Sequence, residues 1–268
     1  MERRIEEAIQ AADYGALTAI IESSMSSTQG EQRALAATFI KAIVSSSSSF
    51  FPKAFSSPNI LLLMKRALSN LPSTVENAAD NTLREMLFDY HVGEEEYREA
   101  AAILIQKRME DMDEGSVYYT PSHVKCDVFV RIAECYLEGD DIVEAEGAVN
   151  KAGSALELVT DTETHIALIL RYKATYARVL DSNRKFLQAA NRYYDLSKAG
   201  AHTDIIAEDD LLIMLGRACT CAILSPSGPQ RQRLLDSVRL TMTFFQVIFR
   251  RNLILQLLDC VFNREDLS

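Results

Sequence analysis

Three short stretches, Tyr97–Leu104, Ile142–Val149 and Phe186–Tyr193, repeat one pattern: a small alanine with a bulky apolar residue three positions before it and another four positions after it. The alanines, Ala100, Ala145 and Ala189, are spaced 45 and then 44 residues apart. On a helix, positions three and four apart share a face, so this stripe lets a neighbouring helix approach closely at the alanine. Its recurrence at constant spacing is the sequence mark of stacked helical hairpins. Such stacks build extended binding surfaces and rarely a catalytic pocket.

A second set of small residues supports the pairing. Ala133 and Tyr136 precede Ala145 by twelve and nine positions, and Ala177 and Leu180 precede Ala189 by the same intervals. The spacing predicts a first and a second helix in each hairpin, crossing at Ala133 with Ala145 and at Ala177 with Ala189. The expected fold is all-α, a right-handed α-solenoid of tetratricopeptide-like hairpins. Apolar spacing places helices over Glu7–Ile21, Ala34–Val44 and Leu61–Leu71, and another from a Ser73 or Thr74 cap to about Tyr90. Glu94–Met109, Val124–Leu137, Asp141–Leu156, Glu163–Leu180, Arg184–Lys198 and Ile205–Leu224 follow. Turns are expected at Glu138–Asp140 and Asp181–Asn183, and a loop at Glu110–Ser122. The serine run Ser45–Ser49 and the prolines behind it read as a flexible loop. Three regions result: N-terminal helices with the serine loop over 1–72, helical repeats over 73–235, and a C-terminal helix over 236–268.

The formal net charge of −10 argues against nucleic acid, because neutralising phosphates takes a basic stripe and none is evident. The five cysteines are scattered and no apolar leader precedes them, so buried thiols in a reducing compartment are expected. Cys219 and Cys221 lack zinc-knuckle spacing and would project about 200° apart on a helix. The apolar stretch Val238–Phe262 is interrupted by Arg250 and Arg251, which argues against a membrane span. It reads as an amphipathic helix, with Phe244, Phe245, Phe249 and Leu253 forming an adhesive patch if nothing covers them.

Three ordered blocks carry a family resemblance. They are Val124–Glu146, Tyr176–Asp181 with Arg184–Ser197, and Ala218–Leu224 with Gly228–Arg233. Together they cover about residues 90–235 and resemble the family of the fourth subunit of the COP-nine signalosome. A related non-ATPase subunit of the proteasome lid is the relative most easily confused with it, and is kept as an alternative. The resemblance implies a helical-repeat arm leading into a PCI domain, which joins subunits side by side. It also implies a non-catalytic scaffold, with other signalosome subunits and cullin-RING ubiquitin ligases as partners. The complex removes Nedd8 from those ligases through a metalloprotease centre on another subunit. Cytoplasm and nucleus are the implied compartments. From about Leu235 the sequence departs from the family pattern, and a winged helix is not expected within the remaining residues. A free-standing adaptor of the same architecture is the alternative.

No enzyme signature is present. The four histidines, His91, His123, His165 and His202, lie far apart in sequence and none pairs on a helix turn as a zinc ligand would. No metal or cofactor is therefore expected. Ala100, Ala133, Ala145, Ala177 and Ala189 are the expected packing residues. Arg231 and Arg233, just past a proline–glycine turn, are candidates for contact with an acidic partner or for starting the next helix. Tyr172, Tyr176, Tyr193 and Tyr194 read as packing between hairpins, with a peptide groove as the alternative.

Overall fold

The computed structural model describes residues 79–109, 119–198 and 207–249, with isolated residues between 3 and 20 and between 64 and 68. The helices expected over 7–21, 34–44 and 61–71, the serine loop, the Ser73 or Thr74 cap, the loop from 110 to 118 and everything beyond 249 lie outside the described residues or almost wholly so. Among the described residues the chain is all-helical, with eight helices. They are α1 (Ala79–Gly93), α2 (Tyr97–Leu104), α3 (Ser122–Glu138), α4 (Ile142–Glu157), α5 (Ile166–Ser182), α6 (Phe186–Ser197), α7 (Glu208–Leu224) and α8 (Pro229–Phe249). The chain divides into two compact units, Met1–Thr120 and Pro121–Ser268.

In the first unit α1 packs on α2. Leu83, Leu87 and Phe88 line the buried side of α1, and Ala100, Ala101, Ile103 and Leu104 that of α2. The helix expected to reach Met109 stops at Leu104. After a turn the chain runs back along α1, where the Asn81 amide takes both backbone groups of Arg108. Asn81 Nδ2 donates to the Arg108 carbonyl at 2.8 Å, and Asn81 Oδ1 accepts from the Arg108 N–H at 3.0 Å. Arg84 donates to the Ile103 carbonyl and to Gln106 Oε1, and Lys107 pairs with Glu85. Backbone groups held this way are withdrawn from helical bonding, so these clamps end α2 although its apolar spacing continues.

In the second unit each helix packs mainly on its chain neighbours. α3 meets α4 and α5, α4 meets α5, α5 meets α6, α6 meets α7 and α8, and α7 meets α8. Contacts that step along the sequence in this way suit a core that grows by stacking. One buried cluster joins Cys126 and Val130 of α3 to Ala152 and Ala155 of α4, with Leu168 and Tyr172 of α5 packed against it. A larger one gathers Ala177 and Leu180 of α5, Ala189, Ala190 and Tyr193 of α6, Leu215, Ala218, Cys219, Cys221 and Ala222 of α7, and Leu234, Leu235, Val238 and Met242 of α8. Leu235, where the family resemblance stops, lies inside α8, which continues through it without interruption. No described helix is long and apolar enough to cross a membrane.

The three hairpins α1–α2, α3–α4 and α5–α6 close on the same turn. The N–H groups of Glu96, Asp141 and Lys185 reach the carbonyls of His91, Tyr136 and Leu180, five residues back, at 2.8, 2.8 and 2.9 Å. The preceding N–H groups, of Glu95, Asp140 and Arg184, reach Val92, Leu137 and Asp181. This double bond pattern is a Schellman motif, which needs a left-handed residue at its C′ position. Glu95, Asp140 and Arg184 occupy it with φ of 61°, 57° and 58°. Glycine usually fills this position, since other residues sacrifice about 1–2 kcal/mol there. Gly139 of the expected Glu138–Asp140 turn sits one residue too early, at φ −83°. The next residue, Glu96, Asp141 or Lys185, then serves as N-cap of the second helix. From there Ala100, Ala145 and Ala189 each donate to that residue's carbonyl at 3.0 Å.

Candidate protein-interaction site

The five alanines read as packing positions are all fully buried. Ala145 and Ala189 lie in the first turn of their second helices, one turn beyond the reversal. A methyl group there lets the backbones approach; a larger side chain would push them apart. Gly153 marks a second close approach. A Cβ at that position would lie 2.7 Å from the Tyr172 hydroxyl, so glycine lets α5 seat its tyrosine on the backbone of α4.

Charged side chains fix the register between successive hairpins. On α5, Arg171 makes a two-pronged bond to Glu134 of α3, with Nε at 3.0 Å and Nη2 at 2.6 Å, while Nη1 reaches Asp127 at 3.0 Å. The Thr175 hydroxyl donates to Glu134 at 3.1 Å, and Arg178 pairs with Glu138 at 2.5 Å. Both sets ascend together in residue number, so α3 and α5 run parallel, as the first helices of stacked hairpins must. On the adjoining edge, Lys185 and Asn183 hold Glu146 of α4 at 2.6 and 2.9 Å. The Lys185 hydrogen bond keeps the Glu146 carboxyl below its ordinary pKa. The Glu134 hydrogen bonds hold Arg171 still more firmly protonated.

This ladder was missed by the sequence reading, although the repeat carries its signal. Asp127 and Glu134 lie 44 residues before Arg171 and Arg178, so equivalent positions of consecutive first helices exchange acid for base. Fixed planar guanidinium forks suit such paired contacts.

The two candidate arginines separate. Arg231 is buried, and its Nε donates to the Ala222 carbonyl at 3.1 Å and its Nη2 to Ile223 at 3.4 Å. It satisfies carbonyls at the end of α7 that lack intrahelical partners, which is the structural role. Arg233 is exposed, one turn into α8. Of the tyrosines, Tyr193 is fully buried, and Tyr194 sends its hydroxyl to α8, with Thr241 Oγ1 at 3.1 Å. Tyr172 and Tyr176 are half-buried with ring centroids 6.0 Å apart.

Among the described residues, histidines that lie far apart in sequence meet in one case. His123, at the start of α3, and His165, just before α5, stack with centroids 4.2 Å apart. Two rings at this spacing follow from the parallel α3–α5 arrangement. His91 is buried, with Nδ1 2.6 Å from Glu96 across the first turn. α5 begins at Ile166 rather than the expected Glu163, because Asp161 takes both the N–H and the hydroxyl of Thr164. Those bonds also lower the Asp161 pKa. Burial pushes the thiols of Cys126, Cys135 and Cys219 up to about 11 and that of Cys221 to about 12, which makes them poor nucleophiles and poor metal ligands. Among the described residues no group of three His, Cys, Asp or Glu side chains is placed to hold a metal. What the arrangement offers chemically is a ribbed helical surface with fixed charges.

The family described as PSMD12/CSN4, N-terminal, matches residues 66–209, more than half the chain and all three hairpins. A protein of Arabidopsis thaliana named COP9 signalosome complex subunit 4 is 39% identical over 159 residues, 58% of this chain and 38% of that protein. The Neurospora crassa protein of the same name is 32% identical over 175 residues, 64% of this chain and 38% of its own length. The one from Drosophila melanogaster is 34% identical over 156 residues, 58% of this chain and 35% of its own length. The matched stretch thus spans under two fifths of these curated relatives. With the family match laid over three identically turned hairpins, the chain belongs to the PSMD12/CSN4 N-terminal family.

Proposed function

We propose that this chain is a non-catalytic scaffold subunit of the COP9 signalosome, supporting the removal of Nedd8 from cullin-RING ubiquitin ligases through protein–protein contacts. Its hairpins form a right-handed, tetratricopeptide-like arm, and its partners are other signalosome subunits and, through them, the ligase. It works in cytoplasm and nucleus. The observation that carries this reading is the family match over residues 66–209, spanning the hairpins whose turns repeat bond for bond. A stack of this kind contributes by geometry: side chains held on rigid helices present many contacts at low ordering cost.

Affinity capture of the 268-residue chain, followed by mass spectrometry, tests the reading. Stoichiometric recovery of several signalosome subunits is expected. Recovery of none would favour a free-standing adaptor. Recovery of proteasome lid subunits instead would favour the other branch of the family, whose description names PSMD12 beside CSN4.

A further inference from the structure

Two cations on the second helices of consecutive hairpins lie against aromatic rings and not against carboxylates. Lys151 Nζ of α4 is 6.0 Å from the centroid of Phe129, and the Arg192 guanidinium of α6 is 5.3 Å from that of Tyr176. Neither has a carboxylate partner among the described residues, whereas Arg171, Arg178 and Lys185 all do. Both are exposed, in a chain with a net charge of −10. Phe129, Tyr172 and Tyr176 beside them are half-buried, leaving part of each side chain to solvent. Tyr172 links the two ends, packing with Phe129 on one cluster and stacking on Tyr176. The acid within electrostatic range of Tyr172 is Glu157, the exception to the positive character of this surface.

We propose that this surface, formed by Phe129, Tyr172 and Tyr176 and flanked by Lys151 and Arg192, binds an acidic linear segment of another protein carrying one aromatic or aliphatic anchor. The rings offer apolar faces to the anchor. The two cations, already oriented by the rings, supply charge-assisted hydrogen bonds to acidic side chains on either side. Gly153 leaves room for the Tyr172 hydroxyl against α4, where a Cβ would lie 2.7 Å from it. The proposal deepens the scaffold reading by naming a partner chemistry for the second and third hairpins.

The test uses the full chain and a fluorescein-labelled nonapeptide of eight glutamates around a central phenylalanine, read by fluorescence anisotropy at low salt. Binding is expected, and it weakens at least tenfold when the phenylalanine becomes alanine or the glutamates become glutamines. The double variant Lys151→Glu, Arg192→Glu is expected to lose at least tenfold. A double variant of equal charge change outside this surface, Lys198→Glu with Arg98→Glu, stays within twofold of the parent. Circular dichroism confirms that both variants keep their helix content. Equal affinity in the two double variants, absence of binding to every acidic peptide, or equally tight binding of a labelled oligothymidylate would each overturn the proposal. Capture of signalosome subunits by the Lys151→Glu, Arg192→Glu variant separates the two readings: if capture persists while the peptide fails to bind the parent chain, this proposal falls and the scaffold reading stands.

Discussion

The two sides of α5 are built from different chemistry. Towards α3 it presents Arg171 and Arg178 to a row of partly exposed carboxylates, with the buried Thr175 bonded to Glu134 between them. Towards α6, α7 and α8 its final turns present Ala177 and Leu180 to a cluster with no charged member. The difference teaches where stability and where register come from. Apolar burial is non-directional and contributes most of the free energy, so it tolerates sliding. Partly exposed ion pairs contribute little energy, but their directional bonds favour the alignment of α5 along α3 in which Arg171 reaches both Asp127 and Glu134 while Arg178 reaches Glu138.

The sharpest way to break the comparison is to overfill the apolar side. Ala189→Leu or Ala145→Leu should cost about 1–3 kcal/mol, because buried methyl-sized sites at close crossings cannot admit a branched side chain without moving a helix. Thermal melting reads this, and unchanged midpoints would show that those alanines are not at tight crossings. Arg171→Ala probes the polar side and should cost less, up to about 1 kcal/mol in low salt, an amount that shrinks as salt is added. If Arg171→Ala destabilised the chain more than Ala189→Leu, the assignment of energy to one side and register to the other would be reversed.

Glu146 gives a pH handle on the same joint. Its carboxyl pKa is depressed in the folded chain, chiefly by Lys185, so its contribution is complete above the ordinary value of 4.5 and is lost as pH falls through the lower folded value. Urea midpoints measured from pH 7 down to pH 3 should therefore fall less steeply in Lys185→Met than in the parent chain. Parallel curves would remove Glu146 from the joint. The smallest effect is expected at the turns. Asp140→Gly relieves a left-handed strain but loosens the unfolded chain, for a net gain of about 0.5 kcal/mol. A loss of stability in that variant would mean that the Asp140 side chain contributes more than its backbone strain takes away.

Much of this arrangement was legible in the residues. The alanine stripes fall on the helices that begin at Tyr97, Ile142 and Phe186, and Ala100, Ala133, Ala145, Ala177 and Ala189 are buried; that they mark close crossings is the proposal the leucine variants test. Helix ends were less legible, for local reasons. Asn81 draws Arg108 away from helical bonding from 27 residues upstream, and Asp161 holds Thr164 in a turn just before α5. Neither is written in apolar periodicity. The turns hid their left-handed residue because it is Glu, Asp or Arg where glycine would have announced it. The ion-pair ladder was encoded as a charge reversal at a 44-residue interval, a pattern that only alignment of the repeats exposes. Arg231 illustrates a limit of another kind: an arginine beside a turn suits a partner surface or a helix end equally, and its burial decides for the helix end.

Residue-resolved hydrogen–deuterium exchange on the intact chain tests most directly the claim that one hairpin design is used three times. The amides of Glu96, Asp141 and Lys185 bond to carbonyls five residues earlier, in the same geometry at each reversal. All three should exchange more slowly than exposed, unbonded amides by a factor of ten or more. Free exchange at all three sites, with protection confined to helix interiors, would contradict the account.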